Sequence, residues 1–147
     1  MIIIRQASPE DLSSLSYLFD QYRQHYHQQQ DLQGARDFLQ ERMERGESVI
    51  LVAVSEGELI GFTQLYPIFS SVSIRRTWLL NDLYVAAAQR GKGAGTLLLE
   101  AAKKMATDTG AKWMLLQTTE DNSGAQALYE RNGWVREADR FYRFDID

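Results

Sequence analysis

An apolar run that passes at once through a glycine-rich turn into an amphipathic stretch limits this chain more than any other feature. Thr77 to Val85 reads TWLLNDLYV, and its β-formers and long apolar side chains predict a central-type strand. Three glycines in five residues follow, Gly91, Gly93 and Gly95. From about Gly93 to Thr107, Ala94, Leu98, Ala101, Ala102 and Met105 recur on one helical face. A strand turning through glycine into a helix is an α/β unit, its helix packed on a sheet. Such a helix start carries about four unpaired backbone N–H groups and a partial positive charge, which favour an anion. Glycine lets an oxygen reach the backbone with no Cβ in the way, and Arg90 and Lys92 add charge there. A flexible helix start with solvated charges, holding no ligand, accounts for the same residues.

The remaining segments fit around that unit. Ile2 to Ala7 predicts a strand. Ser8 as N-cap, Pro9 at the first helical position and Asp11 in a box-like pattern predict a helix start, and Leu12, Leu15, Phe19, Tyr22 and Tyr26 continue it at helical spacing. The polar stretch His25 to Gln30 predicts a loop, and about Leu32 to Arg45 a second helix ended by Gly46. Ser48–Ser55 and Leu59–Tyr66 predict a hairpin across Glu56-Gly57-Glu58, and Phe69 to Ser73 a loop. Lys112–Thr118 predicts a strand, Ser123–Arg131 a helix, and Trp134–Arg136 and Arg140–Phe144 two closing strands. The expected order is β-α-α-β-β-β-α-β-α-β-β. It describes one α/β (α+β layered) domain over residues 1–147, with a mixed sheet of six to seven strands and four helices.

Composition removes several chemistries. The 147 residues include no cysteine, which excludes a disulfide scaffold, a thiolate metal site and a cysteine nucleophile. His25 and His27 are the only histidines, and their spacing of two does not face one ligand on a helix, so no metal site is expected. Sixteen Lys and Arg against twenty Asp and Glu, net −4, is a poor balance for gripping a phosphate backbone, so no nucleic acid is expected as partner. No segment has the roughly 18–20 continuous apolar residues of a membrane span, and the first residues lack the pattern of a secretory signal. The expected setting is the cytoplasm, with no membrane partner. The P-loop pattern fails because no Gly-Lys is followed by Ser or Thr, and G-x-G-x-x-G fails because its last position falls on Thr96 or Leu98.

What does fit is R-x-x-G-x-G, standing here as Arg90-Gly91-Lys92-Gly93-Ala94-Gly95. A second pattern, N-x-x-A-x-x-L-Y-x-x-x-G-[FW], matches Asn122, Ala125, Leu128, Tyr129, Gly133 and Trp134. With both motifs in this order, the chain resembles the GNAT family, the Gcn5-related N-acetyltransferases, over essentially its whole length. Asn81-Asp82-Leu83-Tyr84-Val85 resembles the family's fourth strand, and Leu80 to Val85 more narrowly the polyamine and Hpa2-like branch. The resemblance implies acetyl-CoA as cosubstrate, its pyrophosphate on the backbone from Arg90 to Thr96. It implies the pantetheine arm along Leu83, Tyr84 and Val85, with further contacts at Asn122 and Ala125. Asn122 is at the same time the expected N-cap of its helix. Arg131 stands either near a coenzyme phosphate or solvated at a helix end.

The implied reaction moves an acetyl group from a thioester to a primary amine on a small molecule, a polyamine or a protein lysine. Without cysteine no acyl-cysteine intermediate forms, so direct attack in a ternary complex is expected. A lysine-like amine of pKa near 10.4 is neutral in only about one molecule in 2,500 at pH 7, an unfavourable step of about 4.6 kcal/mol unless the site helps. By resemblance Tyr129 is the acid that protonates the leaving thiolate; an ordinary helix tyrosine beside Leu128 and Trp134 is the other reading. Backbone N–H groups of Leu83 to Val85 can polarise the acetyl carbonyl. The branch places Glu then Asp where this chain has Asn81 and Asp82. Asn81 cannot take a proton. Asp82, expected on the opposite face of the strand because side chains alternate, is a base, a substrate contact or a loop-ordering residue, and a water relay is the alternative base. Tyr22, Tyr26, His25, His27, Phe38, Tyr66, Phe69 and Trp78 are either acceptor-site aromatics or core, and Arg75-Arg76 either solvated or an anion contact. A homodimer through the aromatic segment Phe141, Tyr142, Phe144 is expected. A non-catalytic coenzyme-A-binding or regulatory module of the same fold is the rival reading.

Overall fold

The computed structural model describes residues 1–146, which group into two compact units, Met1–Gln117 and the segment from Thr118 onward. The first unit holds β1 (Ile2–Gln6), α1 (Leu12–His25), α2 (Leu32–Glu44), β2 (Val49–Ser55), β3 (Glu58–Ser70), β4 (Arg75–Val85), α3 (Ala94–Asp108) and β5 (Met114–Leu115). The five strands form one sheet in chain order, antiparallel from β1 to β4 and parallel between β4 and β5. The second unit contains α4 (Ser123–Arg131). Among the described residues no helix is long and apolar enough to cross a membrane.

Both sheet faces are covered, as a mixed sheet with apolar residues on both sides requires. Leu12, Leu15, Leu18 and Phe19 of α1 and Ala35 and Leu39 of α2 bury against Ile50, Val52 and Phe62. Each fully buried Leu or Phe contributes roughly 1.5–3 kcal/mol relative to exposure. On the other face α3 buries Ala94, Leu98, Leu99, Ala102 and Ala106, and Trp78 reaches its end, with Nε1 donating to Thr109 Oγ1 at 2.9 Å. The expected face included Ala101 and Met105; these are only half-buried, and Leu99 and Ala106 take their place.

Several expected boundaries move for reasons of backbone pairing. The expected loop from Phe69 is strand as far as Ser70, so β3 and β4 form a long hairpin closed by Ser70↔Arg75. Pro67 sits inside β3 at no cost. The β2 pairing ends at Val49↔Leu65, and Trp78, opposite Pro67, donates its N–H away from β3 to Trp113 O at 3.1 Å. β5 shrinks from Lys112–Thr118 to two residues because only Trp78 and Leu79 pair with it. Among the described residues the two closing strands are absent and the sheet has five strands, where six to seven were expected. Residues 134–146 form no ladder, and Phe141, Tyr142 and Phe144 stand 81%, 94% and 87% exposed. Alternation predicts a strand only where a partner backbone takes its hydrogen bonds.

The entry to α1 is fixed by charge. Arg5 donates to both carboxylate oxygens of Asp11, Nη1 at 2.7 Å and Nη2 at 2.9 Å, and Ser8 N donates to Oδ2 at 2.8 Å. Hydrogen bonding from Arg5 leads the causes that hold the Asp11 carboxyl down to about 2. A depressed carboxyl adds stability above its unfolded value and loses it as pH falls through its folded value. Unfolding titrations should therefore show stability falling between about pH 4 and pH 2, and Asp11→Asn should remove that part of the acid limb while leaving the slope elsewhere unchanged.

Candidate active site

β4 carries one residue too many. In its ladder with β3, Gln64 faces Asp82 and Leu65 faces Leu80, which leaves Asn81 as a bulge. The extra residue breaks alternation. Trp78 points to α3, yet Asp82, four residues on, hydrogen-bonds Tyr22 of α1, and Tyr84 packs its ring 5.9 Å from Tyr22. Asn81 and Asp82 therefore lie on the same side, Asn81 Nδ2 donating to Asp82 Oδ1 at 3.0 Å. The sequence expectation that they face opposite ways is wrong, because an unpaired bulge residue resets the period of two.

Asp82 is 5% exposed. Gln64 Nε2 donates to its Oδ2 at 2.8 Å, and Ser48 Oγ donates to Gln64 Oε1 at 2.8 Å. Thr63 Oγ1 also donates to the Asp82 carbonyl at 2.7 Å. Burial raises the Asp82 carboxyl above its ordinary value, and donors from Gln64, Tyr22 and Asn81 pull it partly back. Burial and the Asp82 charge push the nearby Tyr66 phenol up to about 12, with Arg42 acting the other way. The phenol therefore stays protonated through the neutral range.

The outer edge of β4 opens at the same point. Pairing with β5 stops at Leu79↔Leu115, while β4 continues to Val85. Ala86 N donates to Ile60 O at 2.8 Å. By antiparallel alternation Tyr84 then bonds β3, and the backbone groups of Leu83 and Val85 turn to the open edge. Gly61 lies opposite Val85, where an added Cβ would come within 2.8 Å of Tyr84 O, so only glycine lets β3 approach this closely.

The glycine turn is clasped to that edge. Arg90 Nε donates to Val85 O at 2.9 Å, and its guanidinium lies 5.5 Å from the centre of the Tyr84 ring. Gly91 and Gly93 take φ of 80° and 90°, with Gly93 as the N-cap of α3. A glycine cap offers no side-chain acceptor, and Leu97 N is the helix amide that bonds Gly93 O, at 3.1 Å. The N–H groups of Ala94, Gly95 and Thr96 thus open the helix as donors without helical acceptors. Lys92 Nζ is exposed and donates to Gln89 Oε1 at 3.2 Å.

In the second unit, the other motif is one helix with both ends encoded. Asn122 is its N-cap, Oδ1 accepting from Ala125 N at 3.2 Å. Gly133, at φ 88°, ends it: Trp134 N donates to Tyr129 O at 3.0 Å and Gly133 N to Glu130 O at 3.2 Å, the Schellman pairing. Tyr129 is half-buried, its ring 6.2 Å from that of Trp134. Arg131 lies in the last turn.

The acceptor-side aromatics divide. Tyr22 and Phe38 stack around Phe19, Tyr26 caps Tyr22, and Trp78 is buried on the α3 face, away from them. His25 and His27 are exposed. Arg75 is spent on Gly110 O and Ala111 O, and Arg76 lies over the rings of Phe69 and Trp78. Sequence reading missed Gln64, which holds the buried carboxylate, Ser48, which holds Gln64, and the bulge; nothing in the spacing of β4 marks an extra residue.

The acetyltransferase (GNAT) family model matches residues 12–134. An uncharacterised N-acetyltransferase of Bacillus subtilis (strain 168), YhfO, is 55% identical over 131 residues, covering 89% of this chain and 88% of that protein. The streptothricin acetyltransferase of Streptomyces lavendulae is 35% identical over 93 residues, 63% of this chain and 47% of that one. The crystal structure of a probable acetyltransferase superposes with a TM-score of 0.95 at 40% identity, covering 99% of this chain and 98% of that chain.

Because Asp82 is raised in the folded state, its contribution to stability is full below the ordinary carboxyl value near 4 and is lost as pH rises through the folded value. The stability difference between wild type and Asp82→Asn, measured by denaturant unfolding from pH 4 to 8, should therefore shift toward the variant as pH rises. A difference that is flat with pH would contradict it.

Proposed function

The chain belongs to the GNAT acetyltransferase family, and from that premise we propose that it moves acetyl from acetyl-CoA to a primary amine by direct attack in a ternary complex. The observation that carries this is the open edge of β4 running straight into the clasped glycine turn. An extended chain with amide groups, such as pantetheine, can hydrogen-bond Leu83 and Val85 as an added strand would. The donors at Ala94, Gly95 and Thr96, with Gly91, Lys92 and Gly93 beside them, suit a pyrophosphate. Arg90 spends Nε on Val85 O and keeps its remaining guanidinium N–H groups for that anion. Asn122 spends Oδ1 on its helix and keeps Nδ2 as a donor for the same arm, next to Ala125.

In this mechanism a backbone N–H of the β4 edge polarises the acetyl carbonyl and the amine attacks its carbon. Tyr129 then protonates the departing sulfur. A phenol near pKa 10 facing a thiol near 8.5 donates as the C–S bond breaks and not before. Asp82 shapes the acceptor side through Tyr22 and Asn81. Its carboxylate is committed to three donors, so solvent water is the proton acceptor. The whole chain is read as one acetyltransferase domain, a reading supported by a family match that runs across the boundary at Gln117. The setting is the cytoplasm, and the exposed segment with Phe141, Tyr142 and Phe144 is the contact surface of a homodimer.

Coenzyme A release followed with a thiol reagent over a panel of primary amines should exceed the no-amine blank. Tyr129→Phe should lower kcat by about 10²-fold with acetyl-CoA affinity near wild type. Unchanged turnover would remove Tyr129 as the acid. Binding without release for any amine would favour the non-catalytic module. Native mass spectrometry should give a dimer mass, and a monomer would count against that contact surface.

A further inference from the structure

Asn81 is exposed, yet its side chain is not free to turn. Its Nδ2 is committed to Asp82 Oδ1 at 3.0 Å, and that carboxylate is held in turn by Gln64, itself tied to Ser48, and by Tyr22. An amide whose NH2 is committed on one side presents its carbonyl oxygen on the other. Asn81 Oδ1 is therefore a fixed acceptor at the bulge, opening to solvent. Along the strand it lies roughly 6–7 Å from Leu83, a span bridged by one asparagine side chain and a bound amine. A carboxylate at this position would attract a cation and take its proton. An amide oxygen accepts a hydrogen bond and cannot take the proton.

Resting on the acetyltransferase reading above, we propose that Asn81 Oδ1 accepts an N–H of the neutral acceptor amine and aims its lone pair at the acetyl carbon, with Asp82 as the positioning residue that locks the amide. The C–N bond forms and the C–S bond breaks. The nitrogen gives its extra proton to water, and the sulfur receives one from the acid. Since no enzyme group removes the ammonium proton, the favoured substrates are amines of low pKa. An α-amino group near pKa 8 has about two hundred times more neutral form at pH 7 than a lysine-type amine near 10.4.

The test uses the full chain with acetyl-CoA and two probes, glycinamide as the low-pKa amine and n-propylamine as the high-pKa amine. For wild type, log kcat/KM should rise with pH up to each amine's own pKa. Asn81→Ala should lower amine kcat/KM about tenfold, with acetyl-CoA KM and the position of the limb unchanged. Asn81→Asp should bring both limbs to one lower pH, set by the new carboxylate. Asp82→Ala should reproduce the Asn81→Ala loss and add nothing to it in the double variant; where it fails to fold, the two Asn81 variants decide. Wild-type limbs that coincide for the two amines, or Asn81→Ala within twofold of wild type, would overturn the proposal alone. No release by wild type with any primary amine would overturn the acetyltransferase reading, and this proposal with it.

Discussion

A carboxylate inside a sheet must be ringed by donors, and Asp82 meets them only because β4 carries the extra residue Asn81. Isolated burial of an ionised carboxylate costs far more than a protein's net stability. Here Gln64, Asn81 and Tyr22 come from β3, β4 and α1, so three elements converge on one group. The bulge thus orients Asp82 toward α1 and holds Asn81 in one sense. It sits just past the point where β4 and β5 part. An exposed backbone edge is a liability in most sheets; here it is the surface on which an extended ligand can pair.

Each of the two motifs does a mechanical job in the fold. In R-x-x-G-x-G the arginine is a clasp: Arg90 Nε closes the turn on Val85 O, and Gly91 and Gly93 supply the left-handed backbone that a closed turn needs. In the second motif the asparagine and the glycine are the two caps of α4, and Trp134 supplies the N–H that completes the Schellman pairing. A role in ligand binding is compatible with both, because the atoms used for capping are not the ones left pointing outward.

Much of the fold was legible because it is local. The helices appear within a few residues of their expected places, since apolar spacing and caps such as Asn122 and Gly133 act within one turn. Strands were legible as segments but not as partners. Pro67 lies beyond the expected end of its strand at Tyr66, yet β3 runs through it, because β2 has already ended there. Trp134–Arg136 and Arg140–Phe144 read like strands yet have no ladder to join. Of the candidate site, the glycine loop and α4 were read directly; the anchoring of Asp82 was not, because Gln64 reaches it from β3 and is itself held by Ser48, just ahead of β2.

The sequence by itself determined the element types, the absence of any thiol nucleophile, the glycine-rich helix start and the two family motifs. All of these depend on residue identity at short separation. Only the tertiary structure decided which way Asp82 points, where β4 leaves β5, and which atom of Asn81 faces outward. Each depends on hydrogen bonds between strands distant in the chain, and a one-residue offset in their register reverses the face of every side chain beyond it.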